Sequence, residues 1–119
     1  MDDDPGALIE ELDACAVACE DAFHRLRTER GRDGIGELER DLLLTAAVAR
    51  TAWAESERTR FEPQALAHLL DLAAELGERT AAALASDGDD RLELCRDACL
   101  AAAAAARELA PRTLPNGYG

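Results

Sequence analysis

The chain has 119 residues, a mass of 12.7 kDa and a formal net charge of −12, with 25 acidic residues against 13 arginines and no lysine. That length gives one domain, and the charge excludes nucleic acid and anionic membrane surfaces as partners. With 48% apolar residues but only 3% aromatic, and alanine supplying much of the apolar fraction, an all-β domain and a disordered chain are both excluded.

Punctuation residues divide the sequence into four helical segments at about 5–30, 36–58, 63–86 and 89–110. Asp4-Pro5 reads as a cap followed by a first-turn proline. The first helix is stopped by Gly31-Arg32-Asp33-Gly34, and the second begins near Ile35 to Glu37. Pro63 marks the first turn of the third helix, and Ser86-Asp87-Gly88-Asp89 supplies a turn and a cap for the fourth. Pro111 ends that helix, leaving 111–119 as a flexible tail.

Each segment carries an apolar seam at alternating steps of three and four. The first runs through Leu8, Leu12, Cys15, Cys19, Ala22 and Leu26, the second through Ile35, Leu38, Leu42, Thr45, Ala49 and Ala52. The third uses Leu66, Leu69, Ala73, Leu76, Thr80 and Ala83, the fourth Leu92, Cys95, Cys99, Ala102, Ala106 and Leu109. Such seams face partner helices. Joined by short loops, four of them predict an all-α protein, an antiparallel up-down-up-down four-helix bundle spanning 1–110.

All four cysteines fall on seams, as Cys15-Ala16-Val17-Ala18-Cys19 and Cys95-Arg96-Asp97-Ala98-Cys99. A spacing of four puts both thiols of a pair on one face, one turn apart. The first and last helices of an up-down bundle are adjacent and antiparallel. Heights counted from the predicted helix ends put Cys15 and Cys19 at roughly 15 and 21 Å, and Cys99 and Cys95 at roughly 22 and 28 Å. A shift of one turn aligns Cys15 with Cys99 and Cys19 with Cys95. Thiolates gathered in a core require a soft cation, and thiolate ligands select Cu(I), Zn²⁺ or iron–sulfur clusters. Zinc needs a tetrahedron of sulfurs, whereas Cu(I) accepts two or three. Two plainer readings stand beside this: cysteines as small core hydrophobes, and disulfides between the first and last helices.

The stretches Asp13 to Ala22 and Glu93 to Cys99 resemble the cysteine-rich four-helix-bundle copper-binding family, which includes the copper storage proteins. The resemblance implies a bundle that holds Cu(I) on inward CxxxC pairs, with Cys15, Cys19, Cys95 and Cys99 as the metal ligands. Storage members line the bundle with many more cysteines, and the second and third helices here have none. The expected capacity is therefore one to a few ions.

The preferred function is Cu(I) handling or buffering without catalysis, with zinc as the alternative metal. The start MDDDPG lacks the features of a secretory signal, and no apolar run is long enough to span a bilayer, so a cytoplasmic location is expected. A helical adaptor docking a partner protein, and a small enzyme using the thiols or a bound metal, are the competing classes; a homodimer stays open. A ferritin-like di-iron site is disfavoured, because no Glu-x-x-His motif occurs. His24 and His68 do not converge on the cysteines, and Trp53, Phe23 and Phe61 read as core or end plugs. The acidic runs interleaved with arginine read as solvated faces with pairs within each helix.

Overall fold

The computed structural model describes residues 5–30, 36–60 and 62–113. The expected cap at Asp4, the turn at 31–34, the seam position Ile35, the plug Phe61 and the tail from 114 onward lie outside the described residues. The helices are α1 (Pro5–Arg30), α2 (Glu37–Ser56), α3 (Pro63–Asp87) and α4 (Glu93–Leu109), and the described residues contain no strand. α1 packs against α2 and α4, and α3 packs against the same two, which is the neighbour pattern of an up-down four-helix bundle.

The core is built from the seams. Leu12, Leu26, Leu42, Leu70 and Leu92 are almost wholly buried, and alanines fill much of the remaining interior: Ala16, Ala49, Ala52, Ala74 and Ala106 are each at most 1% exposed. Small side chains let helix axes approach closely. Gly77, buried in the middle of α3, is the extreme case: a Cβ there would lie 2.9 Å from the carbonyl oxygen of Cys99 and 3.5 Å from the Cβ of Ala103. This glycine is what allows α4 to press its cysteine-bearing turn against α3.

Between α2 and α3 the core holds a polar pair. Thr45 Oγ1 and Thr80 Oγ1 are 2.7 Å apart, with Leu76 O and Asp41 O each 3.4 Å from one of the hydroxyls. Both threonines are at most 1% exposed, so their hydrogen bonds are obligatory. Thr80→Val removes one hydroxyl and leaves Thr45 with a poorer acceptor. It is expected to lower unfolding free energy by about 1 kcal/mol, measurable by urea titration.

Arginines tie the four seams from outside. Arg50 forks onto Glu20 between α2 and α1 (2.8 and 2.6 Å), and Arg107 onto Glu78 between α4 and α3 (2.9 and 2.7 Å). Arg79 reaches Asp41 between α3 and α2 at 3.2 Å, and Arg91 reaches Glu29 at the top of α1 at 2.9 Å. The expectation of pairs within single helices holds for Arg96–Glu93, while Arg58–Glu55 and Arg112–Glu108 are local pairs that reach back from just beyond the ends of α2 and α4. The forked arginines instead reach across, because their long side chains sit at the edges of buried faces.

The ends of the elements differ from the simplest reading of the punctuation. α2 stops at Ser56, where the Ser56 hydroxyl donates to Trp53 O and the Glu57 N–H is shared between Trp53 O and Ala54 O. α3 ends on Gly88 in the left-handed region (φ 77°), as an αL cap requires. Asp89 then caps a short 3-10 turn, Asp90–Leu92, by accepting from the Arg91 N–H, and α4 begins only at Glu93. The segment after Leu109 is not loose at its start: Ala110–Thr113 winds into a 3-10 turn against α3, with Thr113 Oγ1 donating to Ala110 O and Pro63 O. Pro111 sits early in this new turn, where its missing N–H removes little. Trp53 does not plug the core; it is 38% exposed beside Ile9 and Glu57.

Candidate metal centre

Cys15 and Cys19 lie one turn apart on the buried face of α1, and Cys95 and Cys99 occupy the matching face at the start of α4. The axial register between the two helices is held above the thiols. Arg91, ahead of α4, pairs with Glu29 near the end of α1, and Arg25 of α1 donates to the carbonyl of Arg91. This strap supplies the one-turn shift that counting residues had left undetermined.

The four sulfurs form a zigzag across the seam. Cys15 Sγ is 3.9 Å from Cys99 Sγ, Cys99 Sγ is 3.5 Å from Cys19 Sγ, and Cys19 Sγ is 3.8 Å from Cys95 Sγ. The sulfurs of Cys15, Cys19 and Cys99 all lie within 4.8 Å of one another and form one buried group with metal-holding geometry. Cys95 is one step beyond this group. The contacts are therefore not level rungs alone: the diagonal between Cys19 and Cys99 is the shortest. All four cysteines are free thiols.

Proximity sorts the protons. When Cys15 ionises, it receives hydrogen bonds from Cys19 and Cys99, which hold its thiol well below the ordinary value. Cys95 is lowered in the same way, first by Cys19 and then by Cys99. Cys19 is pushed far up by its bonds to Cys15, Cys95 and Cys99 and by burial, and Cys99 is pushed up chiefly by Cys15. The outer sulfurs thus lose a proton more readily than the central ones. A metal that binds the central pair must displace protons, so affinity rises with pH. For each proton released per ion, the apparent association constant is expected to gain about tenfold per pH unit. A competition titration repeated across the neutral range checks this; a flat profile contradicts it.

The donor set is soft throughout. The group contains sulfur only, with no carboxylate or imidazole, which suits soft or borderline metals and not Mg²⁺ or Ca²⁺. His24 is exposed and stacks edge-on against Phe23 at a centroid distance of 5.5 Å, and His68 is exposed on α3. The residue that sequence reasoning missed is Gly77. Its signal was present: an isolated glycine inside an otherwise regular helical repeat, which marks close backbone approach.

Fold and centre together define a class: an all-α bundle with a buried thiol cluster capable of binding a metal. The chain belongs to the copper storage protein family, whose family model matches residues 1–111. No curated protein and no solved structure matches the chain. No helix among the described residues is long and apolar enough to cross a membrane.

Proposed function

We propose that the protein binds Cu(I) on Cys15, Cys19, Cys95 and Cys99 and acts as a low-capacity copper buffer in the cytoplasm, with no catalytic step. The observation that carries this reading is the sulfur group itself: three buried sulfurs within 4.8 Å of one another, with a fourth 3.8 Å from Cys19. Two- or three-coordinate Cu(I) fits a zigzag of this kind with little movement of either helix. A tetrahedral zinc site, at about 2.3 Å per Zn–S bond, needs all four sulfurs mutually about 3.8 Å apart. Cys95 stands outside the 4.8 Å group, so zinc requires α4 to slide or Cys95 to swing inward.

Capacity follows from ligand count. The chain has four cysteines, and the seams of α2 and α3 carry Thr45, Ala49, Leu76 and Thr80 instead. One to a few ions is the load that four sulfurs support. In a reducing compartment, thiols at these separations remain ligands and do not pair into disulfides.

The test is titration of the reduced protein with Cu(I) in the presence of bicinchoninate as competing chelator, followed by elemental analysis. The expected result is withdrawal of one to a few equivalents from the chelator, abolished when all four cysteines are changed to serine. No withdrawal, or equal withdrawal by the serine protein, overturns the reading.

A further inference from the structure

We propose that copper enters and leaves this protein sideways, through a cleft between α1 and α4 at Cys95, and not along the bundle axis. The inference rests on the Cu(I)-binding reading above and adds the route and the order in which the thiols are used.

Three observations carry it. First, the thiols are not equally shut in: Cys95 retains 5% exposure, against 1% for Cys15 and 0% for Cys19 and Cys99. Second, a cleft of about 230 Å³ reaches Cys95 and no other cysteine. Its floor is Ala18, Ala22 and Cys95, and its rim includes Asp21, Arg25 and Leu94. Neither of the other clefts described touches a thiol. The opening exists because two alanines one turn apart on α1 leave space beside the sulfur. Third, the axial directions are blocked by hydrocarbon. Leu26 and Leu92, each 1% exposed, lie between the thiols and the upper end of the bundle. Leu12 and Leu109, at 0% and 6%, lie toward the lower end.

The chemistry at the cleft matches a delivery step. Asp21 places a carboxylate at the mouth, which draws a cation in but is too hard a donor to hold Cu(I). Arg91 on the same wall is already paired with Asp89 and Glu29, which offsets its repulsion. Cu(I) arrives bound to a carrier thiolate. The Cys95 thiolate sulfur forms a bond to copper, the bond from copper to the carrier sulfur breaks, and the carrier leaves as a thiolate with its electron pair; on each later step the proton of the receiving thiol passes to the sulfur that copper has just left. The metal stays Cu(I) throughout. Passage inward is the same exchange repeated over gaps of 3.8, 3.5 and 3.9 Å, from Cys95 to Cys19, Cys99 and Cys15. Release runs in reverse.

The experiment measures uptake rate separately from capacity. Cu(I) is presented as its cationic acetonitrile complex in a stopped-flow instrument, and the reduced protein is compared with A18L, D21N and A85L. Ala18 is half-buried on the cleft wall, so leucine narrows the opening without removing a ligand. Ala85 is exposed and lines a different cleft. A18L is expected to slow uptake by about tenfold or more at unchanged final stoichiometry, and A85L to match the parent protein. D21N is expected to slow uptake about threefold at low salt and to match the parent at high salt, as a screened charge must. In parallel, the metal-free proteins are treated with iodoacetamide and the labelled cysteines are located by mass spectrometry. Cys95 is expected to label first, and A18L to delay that labelling. Parental uptake rates in A18L, or labelling of Cys15 or Cys99 ahead of Cys95, overturn the lateral route. If the parent protein withdraws no copper, the binding reading fails instead, and the labelling order still decides whether the cleft is the path to the thiols.

Discussion

Cys19→Ala is expected to weaken Cu(I) binding by about two to three orders of magnitude, and more than Cys95→Ala does. The reason is its place in the zigzag. Cys19 Sγ lies 3.5 Å from Cys99 and 3.8 Å from Cys95, so removing it breaks up the group of three sulfurs and takes away the nearer sulfur neighbour of Cys95. Metal–thiolate sites release binding energy roughly in proportion to their ligands. For structural zinc sites the apparent total is about 10–16 kcal/mol over four ligands, or about 2.5–4 kcal/mol each, which corresponds to about 10²–10³ in affinity. Cys95→Ala, by contrast, leaves the group of three sulfurs complete and is expected to cost less at equilibrium. Competition against bicinchoninate ranks the two variants. Equal losses, or a larger loss for Cys95→Ala, contradict the sulfur order described above. Folding is a minor concern here, because cysteine to alanine removes one heavy atom in a core already rich in alanine.

Gly77→Ala is expected to destabilise the metal-free bundle by about 1–2 kcal/mol, although alanine is the better helix former. Two effects oppose each other. Helix propensity favours alanine by about 1 kcal/mol. Against it, the new Cβ meets the backbone oxygen of Cys99 at 2.9 Å, and backbone cannot swing aside as a flexible side chain does. Overpacking of this kind typically costs about 1–3 kcal/mol, and a backbone contact belongs toward the upper end. The shift also has a direction. α4 must move away from α3 at the turn that carries Cys99, so the sulfur spacings change with it. Urea titration is expected to show the loss of stability, and the same variant is expected to bind Cu(I) several-fold more weakly. A Gly77→Ala protein more stable than its parent, with unchanged affinity, would show that the helices have slack there.

Much of this was legible in the residues. The three-four spacing places all six seam residues proposed for the fourth helix, Leu92, Cys95, Cys99, Ala102, Ala106 and Leu109, in the buried set. The same spacing buries Leu12, Cys15, Cys19, Ala22 and Leu26 of α1. Periodicity works here because each helix has one apolar face and the loops are short, so there is little freedom in what that face meets. The adjacency of the two cysteine pairs followed from topology alone.

What was not legible is equally physical. The axial register of α1 against α4 depends on the Arg91–Glu29 strap and on the 3-10 turn at Asp90–Leu92, neither of which has a periodic signature. Glu39 is 1% exposed in α2 although its charge argues for solvent, and the acidic runs gave no sign that one member lies inside. The Thr45–Thr80 pair was placed on the seams, but its mutual hydrogen bond depends on rotamers and helix phase. Trp53 reads as a plug from its apolar ring, but it lies off the three-four seam of its helix and is 38% exposed.

The zigzag also bears on how the chain holds together when loaded. Successive sulfurs belong alternately to the first and last helices and are separated by 76 to 84 residues of sequence. Every ion that bridges neighbours therefore clasps the two outermost rods of the polypeptide and turns an open string of four into a closed ring. By the loop-entropy argument used for disulfides, a cross-link over that span would disfavour the unfolded chain by about 4.5 kcal/mol. Cargo and buckle would then be the same object: the first and last helices of a filled molecule would part at the cysteines only after the copper had left.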